Sequence, residues 1–206
     1  MLAAAVAIAV VAGIAAIVTR GHVSTSDFDP KAVGESETRM WRAYYLGDEL
    51  TLGRELSSLQ RNKLHVSQLD ALRIAEPLAR AASTFAGSHG DYERDVLSPL
   101  TDGYARIAKA TGATWRPEDA ARAELAWWVA RRTPGQGDPA NVGRLIADLY
   151  ALLYGKRNGD IDRAGLLRAE AAHQRDEEAD RGQPNWPAIE AKLVESYVAL
   201  RKGVSS

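Results

Sequence analysis

Apolar residues recur at three- and four-residue spacing through most of the chain beyond residue 35, and this spacing constrains the fold more than any other feature. It places the apolar side chains on one face of an α-helix. Alternation of polar residues with Val, Ile, Thr or aromatic residues, which would predict β-strands, is missing. The sequence therefore predicts an all-α domain.

Segments rich in Gly, Pro, Ser and Asp divide this pattern into helices. Seven helices are predicted, over residues 36–62, 67–85, 91–111, 117–133, 140–154, 161–179 and 187–202. Because the links between them are short, consecutive helices are expected to run antiparallel. We predict an antiparallel helical bundle or array of about six to seven helices.

The N-terminal segment differs from the rest, since residues 2–18 carry no charged or polar side chain. As a helix they would span roughly 25 Å, somewhat less than a hydrocarbon core of about 30 Å. No Lys or Arg precedes the segment, as one would in a cleaved signal peptide. We interpret residues 1–19 as a single transmembrane or signal-anchor helix, so that the membrane is one predicted partner.

The nearest basic residues follow the apolar segment, which favours a cytoplasmic domain by the positive-inside rule. An extracytoplasmic domain stays open as the alternative. Residues 20–34 are rich in Gly, Ser, Thr, Asp and Pro and are predicted to form a flexible linker. Residues 35–204 then form the all-α globular domain.

Composition removes several classes of function. The chain has 26 basic and 27 acidic side chains, so it lacks the positive field that binding to nucleic acid requires. It has no cysteine, which excludes disulfides, thiolate nucleophiles and cysteine-ligated metals. No phosphate-binding loop, dinucleotide fingerprint or catalytic motif occurs, and we expect no cofactor.

One local pattern is typical of a metal site. Glu170 and His173 are three residues apart on a predicted helix, the spacing found in carboxylate-bridged di-iron bundles. Glu37 and Glu124 could supply further carboxylates, but no second Glu and His pair exists. The alternative interpretation is that Glu170 and His173 lie on a solvated helix face.

Aromatic residues follow carboxylates at four-residue steps on two predicted helices. Glu124 precedes Trp128 by one turn, so the indole N–H could donate to the carboxylate, and Trp127 could form a cation–π pair with Arg131. Such stripes indicate either core packing or a groove for a partner helix or an apolar ligand. The candidate groove residues are Trp41, Tyr45, Trp127, Trp128, Arg131, Tyr150 and Tyr154.

Three functions are compatible with these patterns. The leading hypothesis is a membrane-tethered helical interaction module without catalytic activity, whose partner is a protein. One alternative is a helical-bundle metal protein that uses the four candidate ligands. The other is a domain that binds an apolar ligand or lipid between the helices containing Pro77 and Pro99, and a large apolar cavity near these prolines would favour it.

Overall fold

The computed structural model describes residues 25–206, and in that range the chain forms eight α-helices. In chain order they are α1 (Pro30–Leu46), α2 (Glu49–Leu64), α3 (Gln68–Gly87), α4 (Tyr92–Thr111), α5 (Pro117–Arg132), α6 (Pro139–Tyr154), α7 (Gly159–Asp180) and α8 (Trp186–Ser205). Each helix packs against the next in the sequence, and α8 packs against α1. The helices form an antiparallel array that closes into a ring, which confirms the all-α prediction.

The predicted helix over residues 36–62 is two helices, so this prediction is wrong and the helix count rises to eight in the described range. Gly47 ends α1 in the left-handed conformation, with a φ of 68°. The Asp48 side chain then caps α2 by accepting a hydrogen bond from the N–H of Thr51 at 3.0 Å. A glycine C-cap followed at once by an aspartate N-cap allows no continuous helix.

The first described helix begins at Pro30, inside the segment predicted as a linker. Asp29 caps it by accepting a hydrogen bond from the N–H of Lys31 at 2.9 Å, and Pro30 needs no partner at the first helical position. The predicted anchor lies outside the described residues. Among residues 25–206, no helix is long and apolar enough to cross a membrane.

Two helices continue through an internal proline, α3 at Pro77 and α4 at Pro99, so neither is split. Pro77 has no N–H, which leaves the carbonyl of Arg73 without its helical donor. Arg106 of α4 donates from its Nη1 to that carbonyl at 2.6 Å. The carbonyl that Pro77 leaves without a helical donor therefore forms a hydrogen bond between α3 and α4.

The main apolar core lies where neighbouring helices meet around the ring. Its fully buried members include Leu100 of α4, Ile146 and Leu149 of α6, Ile161 of α7 and Leu200 of α8. Because the contacts run from each helix to its two neighbours, the core follows the ring and leaves space on its axis.

Candidate functional site

A central cavity of about 520 Å³ lies inside the ring. Every helix contributes to its lining, for example through Met40, Lys63, Leu78, Tyr104, Glu124, Tyr150, Arg168 and Tyr197. Most of the remaining lining is aliphatic and includes Leu56, Leu59, Leu64, Leu100, Ile107, Leu149, Leu152 and Leu153. Its volume is within the range of small-molecule sites, roughly 300 to 1,000 Å³.

An ion pair crosses the inside of the ring between α1 and α7. The guanidinium of Arg168 donates to Oε1 of Glu37 from Nε at 2.8 Å and from Nη2 at 2.5 Å. The hydroxyl of Tyr197 donates to Oε2 of the same carboxylate at 2.5 Å. The exposed fraction of the Glu37 side chain is 0% and that of the Arg168 side chain is 11%. Because both charges have lost most of their hydration, each needs the opposite charge of the other to offset that loss.

A second carboxylate, that of Glu124 on α5, is also held by protein donors. The hydroxyl of Tyr104 donates to its Oε2 at 2.9 Å, and the indole Nε1 of Trp128 donates to its Oε1 at 2.9 Å. The second of these bonds is the one predicted from the four-residue spacing. Both oxygens of Glu37 and of Glu124 therefore accept at least one hydrogen bond from the protein itself.

The ammonium of Lys63, near the carboxyl end of α2, lies over two aromatic rings. Its Nζ is 5.7 Å from the ring centroid of Tyr150 and 5.6 Å from that of Tyr197. Burial lowers the pKa of Lys63 to about 8, and the nearby positive charge of Arg168 acts in the same direction. The carboxylates of Glu37 and Glu124 oppose this shift.

Two tyrosines of α6 line the same cavity. Burial raises the pKa of Tyr150 to about 12 and raises that of Tyr154 further, so both phenols stay protonated at neutral pH. The hydroxyl of Tyr150 is enclosed and makes no hydrogen bond within residues 25–206. Both groups therefore contribute uncharged aromatic surface to the cavity.

A second cavity, the aromatic cavity, has a volume of about 310 Å³. It lies at the carboxyl ends of α1, α3, α5 and α7, whereas the central cavity extends to the carboxyl ends of α2, α4 and α6. Its lining includes Trp41, Tyr44, Tyr45, Phe85, Trp127, Arg131, Arg132, Arg175 and Asp176. Met40, Ala82, Glu124, Trp128 and Arg168 line both cavities, which are therefore adjacent along the axis of the ring.

Arginine side chains cover the rings of the aromatic cavity. The guanidinium of Arg175 lies 3.2 Å from the ring centroid of Tyr45. In the described part of the chain, the cation over Trp127 is Arg168, at 4.9 Å from the ring centroid, instead of the predicted Arg131. Arg131 bonds the hydroxyl of Tyr45 at 2.9 Å and the carboxylate of Asp176 at 2.5 Å.

The structure divides the predicted aromatic groove between the two cavities. Five of the seven candidates line the aromatic cavity, namely Trp41, Tyr45, Trp127, Trp128 and Arg131. The other two, Tyr150 and Tyr154, line the central cavity, which Trp128 also lines. The seven candidates thus line two adjacent cavities.

The four candidate metal ligands do not come together. Glu37 and Glu124 are bonded inside the ring as described above, whereas Glu170 and His173 have exposed side-chain fractions of 38% and 44%. Lys192 lies 3.8 Å from Glu170, and Glu177 lies 3.3 Å from His173. Within residues 25–206, no three His, Asp or Glu side chains are arranged to hold a metal ion.

Several residues of the site are absent from the sequence-based candidates, above all Lys63, Tyr104, Arg168 and Tyr197. Arg168 and Glu37 are 131 positions apart in the sequence, and Tyr197 and Glu37 are 160 apart. No local spacing indicates contacts of this range. The only local signal is a tyrosine or a charged residue on an otherwise apolar helix face, which is common at the edge of any core.

Comparisons with known proteins found no matching family, no matching curated protein and no matching solved structure.

Proposed function

We propose that this domain binds an apolar or amphipathic small molecule in the central cavity and catalyses no reaction. The observation that carries the proposal is the cavity of about 520 Å³, which all eight described helices line, largely with aliphatic and aromatic side chains. Leu78 and Leu100, each adjacent in sequence to an internal proline, are part of this lining. An apolar cavity at this place is the feature that favours ligand binding over the metal-site hypothesis.

The polar groups of the cavity support binding rather than catalysis. The carboxylates of Glu37 and Glu124 each accept hydrogen bonds from protein donors on both oxygens, which makes them weaker bases toward a ligand in the cavity. A general base must be able to accept a proton from its substrate within hydrogen-bond distance. These groups instead stabilise the inside of the ring and set its polarity.

We further propose that residues 2–18 hold the domain at a membrane, with the domain on the cytoplasmic side. Thr25, the first described residue, lines the central cavity. Residues 19–24 can extend over at most about 20 Å. A membrane segment at residues 2–18 would therefore keep the cavity close to the bilayer surface, where amphipathic molecules concentrate.

The proposed function is tested by titrating the purified chain with decan-1-ol in a calorimeter. We expect saturable binding with a negative heat-capacity change, because apolar surface is removed from water. Ala82 lines both cavities, so Ala82→Phe fills space at their junction and is expected to weaken binding at least about tenfold. Ala191→Phe, on the exposed face of α8, is the matched control and leaves the affinity unchanged.

If Ala82→Phe stays helical and binds decan-1-ol as tightly as the original chain, the central cavity is not the binding site. Far-ultraviolet circular dichroism of both phenylalanine variants shows whether the ring has been preserved. Absence of saturable binding to the original chain would overturn the proposed function itself.

A second candidate function is the docking of a protein segment in the aromatic cavity. It is favoured by the five predicted groove residues that line this cavity and by its four arginines, Arg131, Arg132, Arg168 and Arg175, against two acidic residues, Glu124 and Asp176. The matching partner is an amphipathic segment with an acidic side chain beside its apolar anchor. In this case the membrane segment would hold the domain near a membrane-bound protein.

Two synthetic helical peptides of equal length and apolar content test this second function. The first carries glutamate and the second carries lysine at the same positions. We expect the acidic peptide to bind about tenfold more tightly and to change tryptophan emission, since three of the five tryptophans line the aromatic cavity. Equal binding of the two peptides would count against a docking site with this charge preference.

A further inference from the structure

Lys63 differs from the other charged groups of the central cavity in its bonding. Glu37, Arg168 and Glu124 each have hydrogen-bond partners inside the ring. Within residues 25–206, the ammonium of Lys63 makes no hydrogen bond and no ion pair, and its recorded contacts are with the faces of Tyr150 and Tyr197. The side chain is half-buried, so its three N–H donors face the cavity without an acceptor from the described part of the protein.

A cation–π contact compensates only part of the hydration that an ammonium loses inside a partly enclosed cavity. The charged groups that face Lys63 come from three other helices: Glu37 of α1, Glu124 of α5 and Arg168 of α7. Neither carboxylate is bonded to Lys63, so both act on it through their electric field. What the site lacks is an acceptor oxygen at Lys63.

The charge balance restricts which acceptor fits. Lys63, Arg168 and Glu124 line the cavity, and Glu37 is bonded to Arg168 beside it, so with Lys63 protonated these four charges sum to zero. A ligand with one negative charge can pair with the unbonded ammonium, whereas a dianion would add a second negative charge near Glu37 and Glu124. The remaining lining is mostly aliphatic and aromatic, which suits a hydrocarbon chain or ring system.

We propose that Lys63 is the residue that binds the polar end of the ligand, and that the ligand is a monocarboxylate with an extended apolar body. This inference rests on the proposed function, since it assigns a ligand class to the central cavity. The carboxylate accepts hydrogen bonds from the ammonium, and the apolar body lies against the aliphatic and aromatic lining.

Decanoate and decan-1-ol are suited to the test because they share an alkyl chain and differ in charge. We expect decanoate to bind the original chain about tenfold more tightly than decan-1-ol at neutral pH, as a charge-assisted hydrogen bond requires. Lys63→Met keeps the apolar stem and removes the charge, so the variant is expected to bind decanoate no more tightly than decan-1-ol. Lys63→Arg restores a cation and is expected to restore the preference.

The pH dependence of the affinity for decanoate tests the role of Lys63 without any variant. The pKa of Lys63 in the free protein is about 8, and a bound carboxylate raises it, because the opposite charge favours the ammonium. Between about pH 6 and pH 8, where decanoate is ionised, its affinity should be constant, and above about pH 8 it should fall by about tenfold in total as Lys63 loses its proton. The affinity for decan-1-ol should not follow this profile.

The outcomes separate this inference from the proposed function. Equal binding of decanoate and decan-1-ol, with no loss of decanoate affinity above about pH 8, would overturn the role of Lys63 and leave the apolar site intact. A preference for decanoate that persists in a folded Lys63→Met variant would also overturn it. If neither compound binds, the proposed function fails and this inference fails with it.

Discussion

Replacing Gly165 by alanine is expected to lower the free energy of unfolding by about 3 kcal/mol, the upper part of the range for overpacking a tight contact. Gly165 lies on α7, where that helix contacts α6. A Cβ atom at this position would lie 2.3 Å from the backbone oxygen of Gly143 and 2.8 Å from the backbone nitrogen of Ala147. Backbone atoms cannot move aside as a flexible side chain can, so the two helices would have to separate.

The sign of this prediction is opposite to that of helix propensity. In an exposed helix interior, alanine stabilises relative to glycine by up to about 1 kcal/mol. Gly53 of α2 is the matched control, because a Cβ atom there would have no neighbour within 4 Å. Gly53→Ala should therefore raise stability, and Gly165→Ala should lower it, in urea unfolding followed by circular dichroism. A stabilising effect of Gly165→Ala would show that α6 and α7 are not in backbone contact.

Replacing Arg168 by methionine is expected to cost about 3 to 5 kcal/mol, because it leaves the carboxylate of Glu37 buried without its cation. The exposed fraction of Glu37 is 0%, and the hydroxyl of Tyr197 alone cannot compensate the charge. The double variant Glu37→Gln with Arg168→Met removes both charges and is expected to recover part of the loss. Urea unfolding of the two variants and the original chain measures both effects.

Glu35→Gln is the control for the ion-pair prediction. Glu35 lies on the same helix as Glu37 and pairs with Lys31 at 3.6 Å, but the two side chains of this pair, Lys31 and Glu35, are 77% and 36% exposed. Exposed pairs contribute between zero and about 1 kcal/mol. A loss for Arg168→Met that is no larger than the loss for Glu35→Gln would contradict a buried ion pair inside the ring.

Local structure was largely predictable from the sequence, since caps and breakers act over a few residues. The helix predicted over residues 67–85 begins where the side chain of Ser67 accepts a hydrogen bond from the N–H of Asp70 at 3.1 Å. The helix predicted over residues 117–133 begins at Pro117, the first residue of α5. The missed boundary at Gly47 and Asp48 was also a local signal, but the apolar spacing that continues across it favoured one long helix.

The candidate site was predictable only in part. The bond from Trp128 to Glu124 joins residues one helical turn apart, so spacing alone indicated it. The metal-site hypothesis used the same spacing rule for Glu170 and His173, but the rule does not say which face of a helix is buried. On α7 the side chain inside the ring is that of Arg168, whereas the side chains of Glu170 and His173 are 38% and 44% exposed.

Apolar spacing and helix-end signals predicted a helical domain and the ends of most of its helices, and the spacing of Glu124 and Trp128 indicated that one indole could bond a carboxylate. The closure of eight helices into a ring, and the meeting of Glu37, Lys63, Arg168 and Tyr197 inside it, follow only from the packing of the described chain. Helix caps and apolar periodicity depend on residues within about one or two turns. The closure of the ring and its internal ion pair depend on contacts between the first helix and the last two, which form only when the whole chain packs.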